Sequence, residues 1–155
     1  GVAIKNFEHI LHNTSIEQGI NSALTVTAVP GMPAMVKYIN ECSKIKPIYW
    51  SMMKANQHEI GPREYLYPGI FGNKVNDWGL REAVELFDTK THGHEDSVKK
   101  NYKNYMNGII KEFDQMEPNP LRQRQLKIYL DELDRRRNTD WKKIYPQILN
   151  EMKGL

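Results

Sequence analysis

The chain has 155 residues, of which 39% are hydrophobic and 26% charged, and its 22 basic and 19 acidic residues leave a formal net charge of +3. This length fits one domain with its own core, and so weak a charge bias does not by itself indicate a nucleic-acid-binding protein. Cys42 is the only cysteine, which excludes an internal disulfide and a zinc or iron-sulfur site held by several thiolates of this chain.

The sequence also carries little sign of a membrane or export segment. No apolar run approaches the roughly 18 to 20 residues that a membrane span needs, and the first residues lack the hydrophobic region of a signal peptide. We therefore expect a soluble, cytoplasmic protein. The chain begins with Gly-Val rather than with Met, so either a tag was cleaved or the natural protein starts upstream of Gly1.

The segments before and after the stretch from Ala23 to Met53 differ in the spacing of their apolar residues. The residues from Val2 to His12 predict a short amphipathic helix. The residues from Lys54 to Lys74 contain several Gly and Pro and show no sustained period, which predicts a long ordered loop, with Tyr-Leu-Tyr-Pro at 65–68 docked on the core. A loop of this length is more often functional or interface-forming than idle.

The stretch from Ala23 to Met53 predicts a β-α-β unit. Its first part, Ala-Leu-Thr-Val-Thr-Ala-Val, and its last part, Pro-Ile-Tyr-Trp-Ser-Met-Met, are short, rich in β-branched or aromatic residues and bounded by Pro or Gly. Between them, apolar residues recur at helical spacing from Met32 to Cys42. Two strands joined by a helix of this length are expected to be parallel, with a right-handed crossover.

From Val75 onward the pattern is helical. The expected boundaries are an Asn76 or Asp77 cap, an Asp96 or Ser97 cap, an Asn119 cap followed by Pro120, a left-handed end at Asn138, a Thr139-Asp140 cap and a kink at Pro146. We expect residues 1–74 to form the β-α-β unit with its long loop. Residues 75–155 are expected to form a helical extension packed on it within a single compact domain.

Four polar side chains on the predicted strands are the main candidate site. Thr25 and Thr27 alternate with apolar residues on the first strand, as Tyr49 and Ser51 do on the second. If the apolar faces pack against helices, these four side chains line a concave polar surface, and ligands of α/β proteins gather at the carboxyl ends of parallel strands. The alternatives are hydroxyls satisfied within the core or exposed on an open sheet.

Other chemistry-bearing residues have simpler interpretations. His9 and His12 are three residues apart, and His92 and His94 flank a glycine, but neither pair has a third ligand at suitable spacing for a metal. The side chains of Arg135–Arg137 favour a charged helix end, with a phosphate or nucleic-acid patch as the alternative. Cys42 lies on the apolar stripe of its helix and is expected to be a small buried hydrophobe rather than a nucleophile.

The order of these elements resembles the C-terminal half of twitch-type radical S-adenosylmethionine (SAM) proteins. The residues that carry the resemblance are the strand Leu-Thr-Val-Thr-Ala-Val with Pro after it, the loop with Tyr-Leu-Tyr-Pro, and the tail Asp-Glu-Leu-Asp-Arg-Arg-Arg-Asn-Thr-Asp-Trp followed by Tyr-Pro. The resemblance covers nearly the whole chain. The Cys-x3-Cys-x2-Cys motif that binds the [4Fe-4S] cluster in that family is absent.

The resemblance implies an α-rich α/β fold. The chain would be a partial (β/α) barrel fragment with two or three parallel strands and a C-terminal helical tail. It also implies that Thr25, Thr27, Tyr49 and Ser51 are neighbours of SAM or substrate, whereas no residue here is implied as a cluster ligand.

The expected function is therefore that of a C-terminal fragment of a radical SAM enzyme. It would be inactive alone and would form part of the cavity wall in an intact parent that binds SAM and a [4Fe-4S] cluster. Exposed strand edges predict a homo-oligomer, and a substrate protein or peptide is a further expected partner. The alternative is a non-enzymatic, α-rich module that binds a protein or nucleic acid.

Overall fold

A computed structural model describes residues 2–16, 18–46, 48–54, 61–87 and 96–154. Residues 49, 51, 53–54, 61–63 and 96–102 are described by their backbone alone. The helices are α1 (Val2–Asn13), α2 (Met32–Ile45), α3 (Leu80–Leu86), α4 (Asp96–Asp114), α5 (Pro120–Arg137), α6 (Trp141–Ile144) and α7 (Pro146–Glu151), and the strands are β1 (Gln18–Leu24) and β2 (Ile48–Lys54). Three 3-10 helices, Val29–Gly31, Gly61–Leu66 and Pro68–Trp78, complete the described elements.

Strands β1 and β2 pair in parallel, with Gln18 opposite Ile48 and Leu24 opposite Lys54. Helix α2 makes the connection between them. Along β1, the side chains of Gln18 and Leu24 are buried while Gly19, Asn21 and Ala23 are exposed. This alternation places one face of β1 on the core and leaves the other face open.

The prediction for the first strand is wrong in position. The predicted strand ran from Ala23 to Val29, but β1 ends at Leu24 because the Thr25 carbonyl closes a turn. That carbonyl accepts hydrogen bonds from the backbone N–H groups of Ala28 (2.9 Å) and Val29 (3.3 Å). The β-branched residues of this stretch therefore form a turn rather than a strand.

The predicted α-rich α/β fold with a partial (β/α) barrel fragment is also wrong, because the structure is helix-rich. The structure is 73% helical, and among the described residues neither β1 nor β2 has a further strand as a neighbour. The physical reason lies in the second half of the chain, whose apolar side chains do not cover a barrel wall but pack with α2 into a helical core. Its buried members include Leu80, Ile109, Phe113, Leu126, Trp141 and Ile148.

One hydrophobic cluster joins the two halves of the chain. It extends from Leu24, next to the first turn, to Met152 near the carboxyl end. A smaller cluster of Leu11, Cys42 and Ile48 lies where α1 packs near α2 and β2. The expected burial of Cys42 is confirmed, with 4% of the residue exposed.

Residues 55–60 of the predicted loop lie outside the described residues, and its remainder from Gly61 onward is built largely from 3-10 turns. Tyr67 is 4% exposed and Tyr65 and Leu66 pack against the main cluster, so the predicted docking of residues 65–68 is confirmed. Gly72 interrupts the helix Pro68–Trp78 with φ 58° and ψ −142°, a conformation that favours glycine.

The helix boundaries follow the predicted caps at three places and depart from them at one. The predicted kink at Pro146 is a break between α6 and α7, and the Asp96 or Ser97 cap stays a prediction. The Asn119 side chain accepts from the Arg122 N–H (3.1 Å), and Asp140 caps α6 in the same way. Asn138 ends α5 with φ 51° and ψ 47°, as predicted. The expected cap at Asn76 or Asp77 is wrong, because α3 begins after Gly79.

The reason is that the buried Asn76 side chain has partners on α4 instead. Its amide donates to the Ile110 carbonyl and to Asp114 Oδ1, both at 3.0 Å.

Candidate functional site

A cavity of about 290 Å³ lies between the turn that follows β1 and the corner between α5 and α6. Residues from distant parts of the sequence line it: Thr25, Thr27, Leu66, Tyr129, Leu130, Leu133, Asp134, Arg137, Thr139, Trp141, Ile144 and Tyr145. Because the turn continues from the carboxyl end of β1, the cavity lies where α/β proteins commonly bind ligands. Its volume is near the lower end of the range of about 300 to 1,000 Å³ for small-molecule sites.

The corner between α5 and α6 is held by two carboxylates. Asp134 accepts from the Thr139 hydroxyl at Oδ1 (2.6 Å) and from the Trp141 backbone N–H at Oδ2 (2.7 Å). Asp131 Oδ1 accepts from the Trp141 indole N–H (2.8 Å). Because Asn138 is left-handed, the chain reverses after α5 and these donors reach back to it.

Thr25 and Thr27 lie on the opposite wall of the cavity. Both residues are half-buried, and their Oγ1 atoms are 3.2 Å apart, within hydrogen-bond distance. The Val26 between them is fully buried, and its N–H donates to the Leu66 carbonyl (2.9 Å). The core thus holds the turn at Val26 and leaves the two hydroxyls beside the cavity.

The other two candidate residues lie on β2. The backbone of Tyr49 pairs with Gly19 and that of Ser51 with Asn21, while their side chains lie outside the described residues. The structure therefore brings Thr25 and Thr27 together at a cavity and leaves their relation to the hydroxyls of Tyr49 and Ser51 a prediction.

The sequence did not assign Arg137, Tyr129 and Tyr145 to this site. The sequence pattern predicts that Arg137, like Arg135 and Arg136, belongs to a charged helix end. Consecutive residues of a helix are about 100° apart around its axis. Three adjacent arginines therefore cannot all lie on one surface, and this spacing indicates that their surroundings differ.

The three arginines have different surroundings. Arg135 and Arg136 both bind the Glu132 carboxylate, at 2.7 and 2.6 Å. Hydrogen bonds from Arg135 and then Arg136 lower the pKa of Glu132 to about 2. Arg137 lines the cavity instead.

An open groove of about 580 Å³ adjoins the cavity. The two share Thr27, Ile144 and Tyr145, and the groove continues along Ser22 and Met35. A molecule larger than the cavity could therefore extend into the groove past Tyr145.

The geometry of the described residues does not support a metal site at the candidate histidine pair on α1. Within residues 2–16, 18–46, 48–54, 61–87 and 96–154, no three His, Cys, Asp or Glu side chains form a group that could hold a metal ion. His9 and His12 lie on α1, whereas His92 and His94 are outside the described residues. Burial raises the pKa of the Cys42 thiol, which disfavours its reactive thiolate form.

No helix in the described part of the chain is both long enough and apolar enough to cross a membrane. Comparisons of the sequence with protein-family models and curated proteins, and of the structure with solved structures, find no match.

Proposed function

We propose that this chain contributes one wall of the ligand cavity in a radical SAM enzyme. The observation that supports the proposal is the meeting of two sequence features that carry the family resemblance. Thr25 and Thr27 belong to the segment Leu-Thr-Val-Thr-Ala-Val, and residues 134–141 belong to the C-terminal tail. Residues of both features line the same cavity. More than a hundred residues separate them in the sequence.

Of the two cofactors of that enzyme class, the residues of this chain fit part of SAM but not the [4Fe-4S] cluster. A [4Fe-4S] cluster does not fit, since the chain has one cysteine and it is buried. Part of a polar ligand such as SAM fits the cavity, where Arg137, Tyr145 and the two threonine hydroxyls supply polar groups.

In that enzyme class, the cluster and SAM together supply the radical chemistry. This chain would be inactive alone. A cytoplasmic location belongs to the proposal, because cluster-binding thiolates need a compartment that keeps cysteines reduced.

The residues of this chain would bind and orient the ligand rather than react with it. The paired threonines and Arg137 would fix its polar groups, while the half-buried Leu66 and the buried Leu130 would exclude water from that side. Such positioning is how a protein directs the chemistry of a bound cofactor.

Calorimetric titration of the purified chain with SAM and with 5'-deoxyadenosine tests the proposal. We expect saturable binding that the double substitution Thr25→Val and Thr27→Val weakens about tenfold, since each lost hydrogen bond costs about 0.5 to 1.5 kcal/mol. Thr14→Val is the matched control, because Thr14 bonds the Ile10 carbonyl at the end of α1 and does not line the cavity. Absence of binding, or equal weakening by the control, would contradict the proposal.

The coding DNA upstream of Gly1 gives an independent test. An in-frame Cys-x3-Cys-x2-Cys motif would support the enzyme. A start codon immediately before Val2, with nothing related upstream, would argue against it.

The second candidate is an α-rich module that binds another protein. It is favoured by two apolar side chains on α5, Leu121 and Ile128, which are 62% and 69% exposed and lie seven residues apart on one face. A nucleic-acid partner is disfavoured, because Arg135 and Arg136 already bind Glu132. Salt-dependent RNA or DNA binding that Arg136→Ala abolishes would reverse that preference.

A further inference from the structure

We propose that Arg137 makes the cavity an oxyanion site, which takes a carboxylate or phosphate group of the bound molecule. This inference rests on the proposed function, since it names the ligand chemistry of the same cavity. The oxyanion would contact the Arg137 guanidinium on one wall and the Thr25–Thr27 hydroxyl pair on the other.

The charges that line the cavity favour an anion. Among the described residues that line the cavity, Arg137 is the only cation and Asp134 the only anion. Both Asp134 oxygens already accept hydrogen bonds, from Thr139 and from the Trp141 backbone, and these donors offset part of its charge. Arg137 forms no ion pair within the described part of the chain, so its donors remain available to a ligand.

The chemistry of the guanidinium narrows the choice of ligand. Arginine stays protonated at all physiological pH values, and its planar fork of N–H donors matches the two oxygens of a carboxylate or phosphate. An anionic ligand would give this exposed guanidinium the counterion that it lacks among the described residues.

The threonine pair supplies a second donor. Each hydroxyl carries one hydrogen, and a bond between the two Oγ1 atoms at 3.2 Å uses only one of them. The other hydroxyl hydrogen can be donated into the cavity. A ligand oxygen can therefore be bound from two walls, whereas a hydrophobic group there would leave these donors unpaired.

Apolar side chains line the remainder of the cavity. Leu66, Leu130, Leu133 and Ile144 line the same cavity. With a volume of about 290 Å³, the cavity accepts a small acid or phosphate ester whole, or the anionic end of a larger molecule that continues into the adjoining groove.

The test uses the complete chain and two anions, inorganic phosphate and acetate, each titrated at an ionic strength held constant with chloride. The indole N–H signal of Trp141 in a proton-nitrogen correlation spectrum reports binding locally, since Trp141 lines the cavity. We expect a saturable shift with at least one anion, and the tighter of the two identifies the class of ligand as a phosphate or a carboxylate.

The matched variants are Arg137→Gln and Arg136→Gln, which remove one charge from adjacent positions. We expect Arg137→Gln to weaken binding about tenfold or more, as loss of a charged hydrogen-bond partner does. Arg136→Gln should change the affinity less than about twofold, because Arg136 binds Glu132 and exposed pairs contribute little. Arg137→Lys, which keeps the charge and loses the fork, should give an intermediate affinity.

Three outcomes would overturn the inference: no saturable shift with either anion, equal weakening by the two glutamine variants, or an unchanged affinity in Arg137→Gln. Circular dichroism and urea unfolding of each variant show whether it keeps its fold. If the anions bind through Arg137 but SAM and 5'-deoxyadenosine do not bind, the anion site stands and the radical SAM proposal fails. If SAM binds and the anions do not, the radical SAM proposal stands and the anion site fails.

Discussion

Asp134 fixes the corner that shapes the cavity, since its two oxygens accept from the Thr139 hydroxyl and the Trp141 backbone. Asp134→Ala leaves both donors without that partner, and we expect it to lower the free energy of unfolding by about 1 to 3 kcal/mol. Urea denaturation followed by tryptophan fluorescence measures the change. Glu132→Ala is the control, because its ion pairs with Arg135 and Arg136 are exposed and should contribute little to stability. An equal loss in both variants would contradict this role for Asp134.

The nearby Asp131 links stability to pH. Burial acts to raise its pKa, but the hydrogen bonds from the Trp141 indole and from Lys127 lower it, and the net shift is downward. A carboxyl whose folded pKa lies below the unfolded value of about 3.9 stabilises the fold above that pH, and this stabilisation is lost as the pH falls through the folded pKa.

We therefore expect Asp131→Asn to destabilise the protein at pH 7 and to have an effect that becomes smaller as the pH falls below the unfolded pKa of about 3.9. Urea unfolding of the wild type and of Asp131→Asn across pH 2 to 7 measures the difference. A penalty that is the same at every pH would show that the charge of Asp131 does not contribute.

At the scale of elements, Gly72 controls how the segment Pro68–Trp78 meets the end of α4. An ideal Cβ at Gly72 would lie 2.6 Å from the Met116 carbonyl oxygen, and its φ is 58°. We expect Gly72→Ala to destabilise the fold by more than about 1 kcal/mol, because the new methyl group meets backbone in a strained conformation.

Gly108→Ala is the matched control for this substitution. Gly108 lies within α4, and a Cβ there would have no heavy atom within 4 Å. Alanine should stabilise the helix by about 0.5 to 1 kcal/mol. Thermal unfolding of both variants would contradict this account if the two substitutions shifted the midpoint in the same direction.

Local side-chain chemistry made several elements predictable from the sequence. Asn119, Asp140 and Asn138 act through bonds and backbone angles within a few residues of themselves, so short patterns identify them. The position of β1 was not predictable in this way. Its end depends on the turn at Thr25 and on the hydrogen bond from Val26 to Leu66, a partner forty residues away.

At the scale of the whole molecule, the same limit applies to the cavity. The sequence predicts Thr25 and Thr27 as candidate ligand contacts, because their hydroxyls alternate with apolar residues along the predicted first strand. It could not identify Arg137 as their neighbour, since that relation depends on how α5 packs across the core. The barrel prediction failed for a related reason: the sequence pattern of helices that cover a sheet is the same as that of helices that pack on one another.

The parallel pair also predicts how the whole molecule associates. Parallel strands are normally covered on both faces and flanked by further strands. In the part of the chain that the structure describes, no third strand pairs with β1 or β2, and Gly19 and Ala23 are exposed on one face of β1. Unpaired backbone groups at a strand edge favour pairing with another chain.

We predict that the chain forms a homo-oligomer through this pair, with a mass by light scattering that rises with concentration. Ala23→Lys places a charge on β1 and should shift the mass toward the monomer, because a charged side chain on an edge strand disfavours pairing with another chain. Ile128→Lys is the control, since it removes the most exposed apolar side chain of α5 and leaves the strands unchanged. If Ile128→Lys alone dissociates the oligomer, α5 is the interface, and a strictly monomeric mass at high concentration would rule out association altogether.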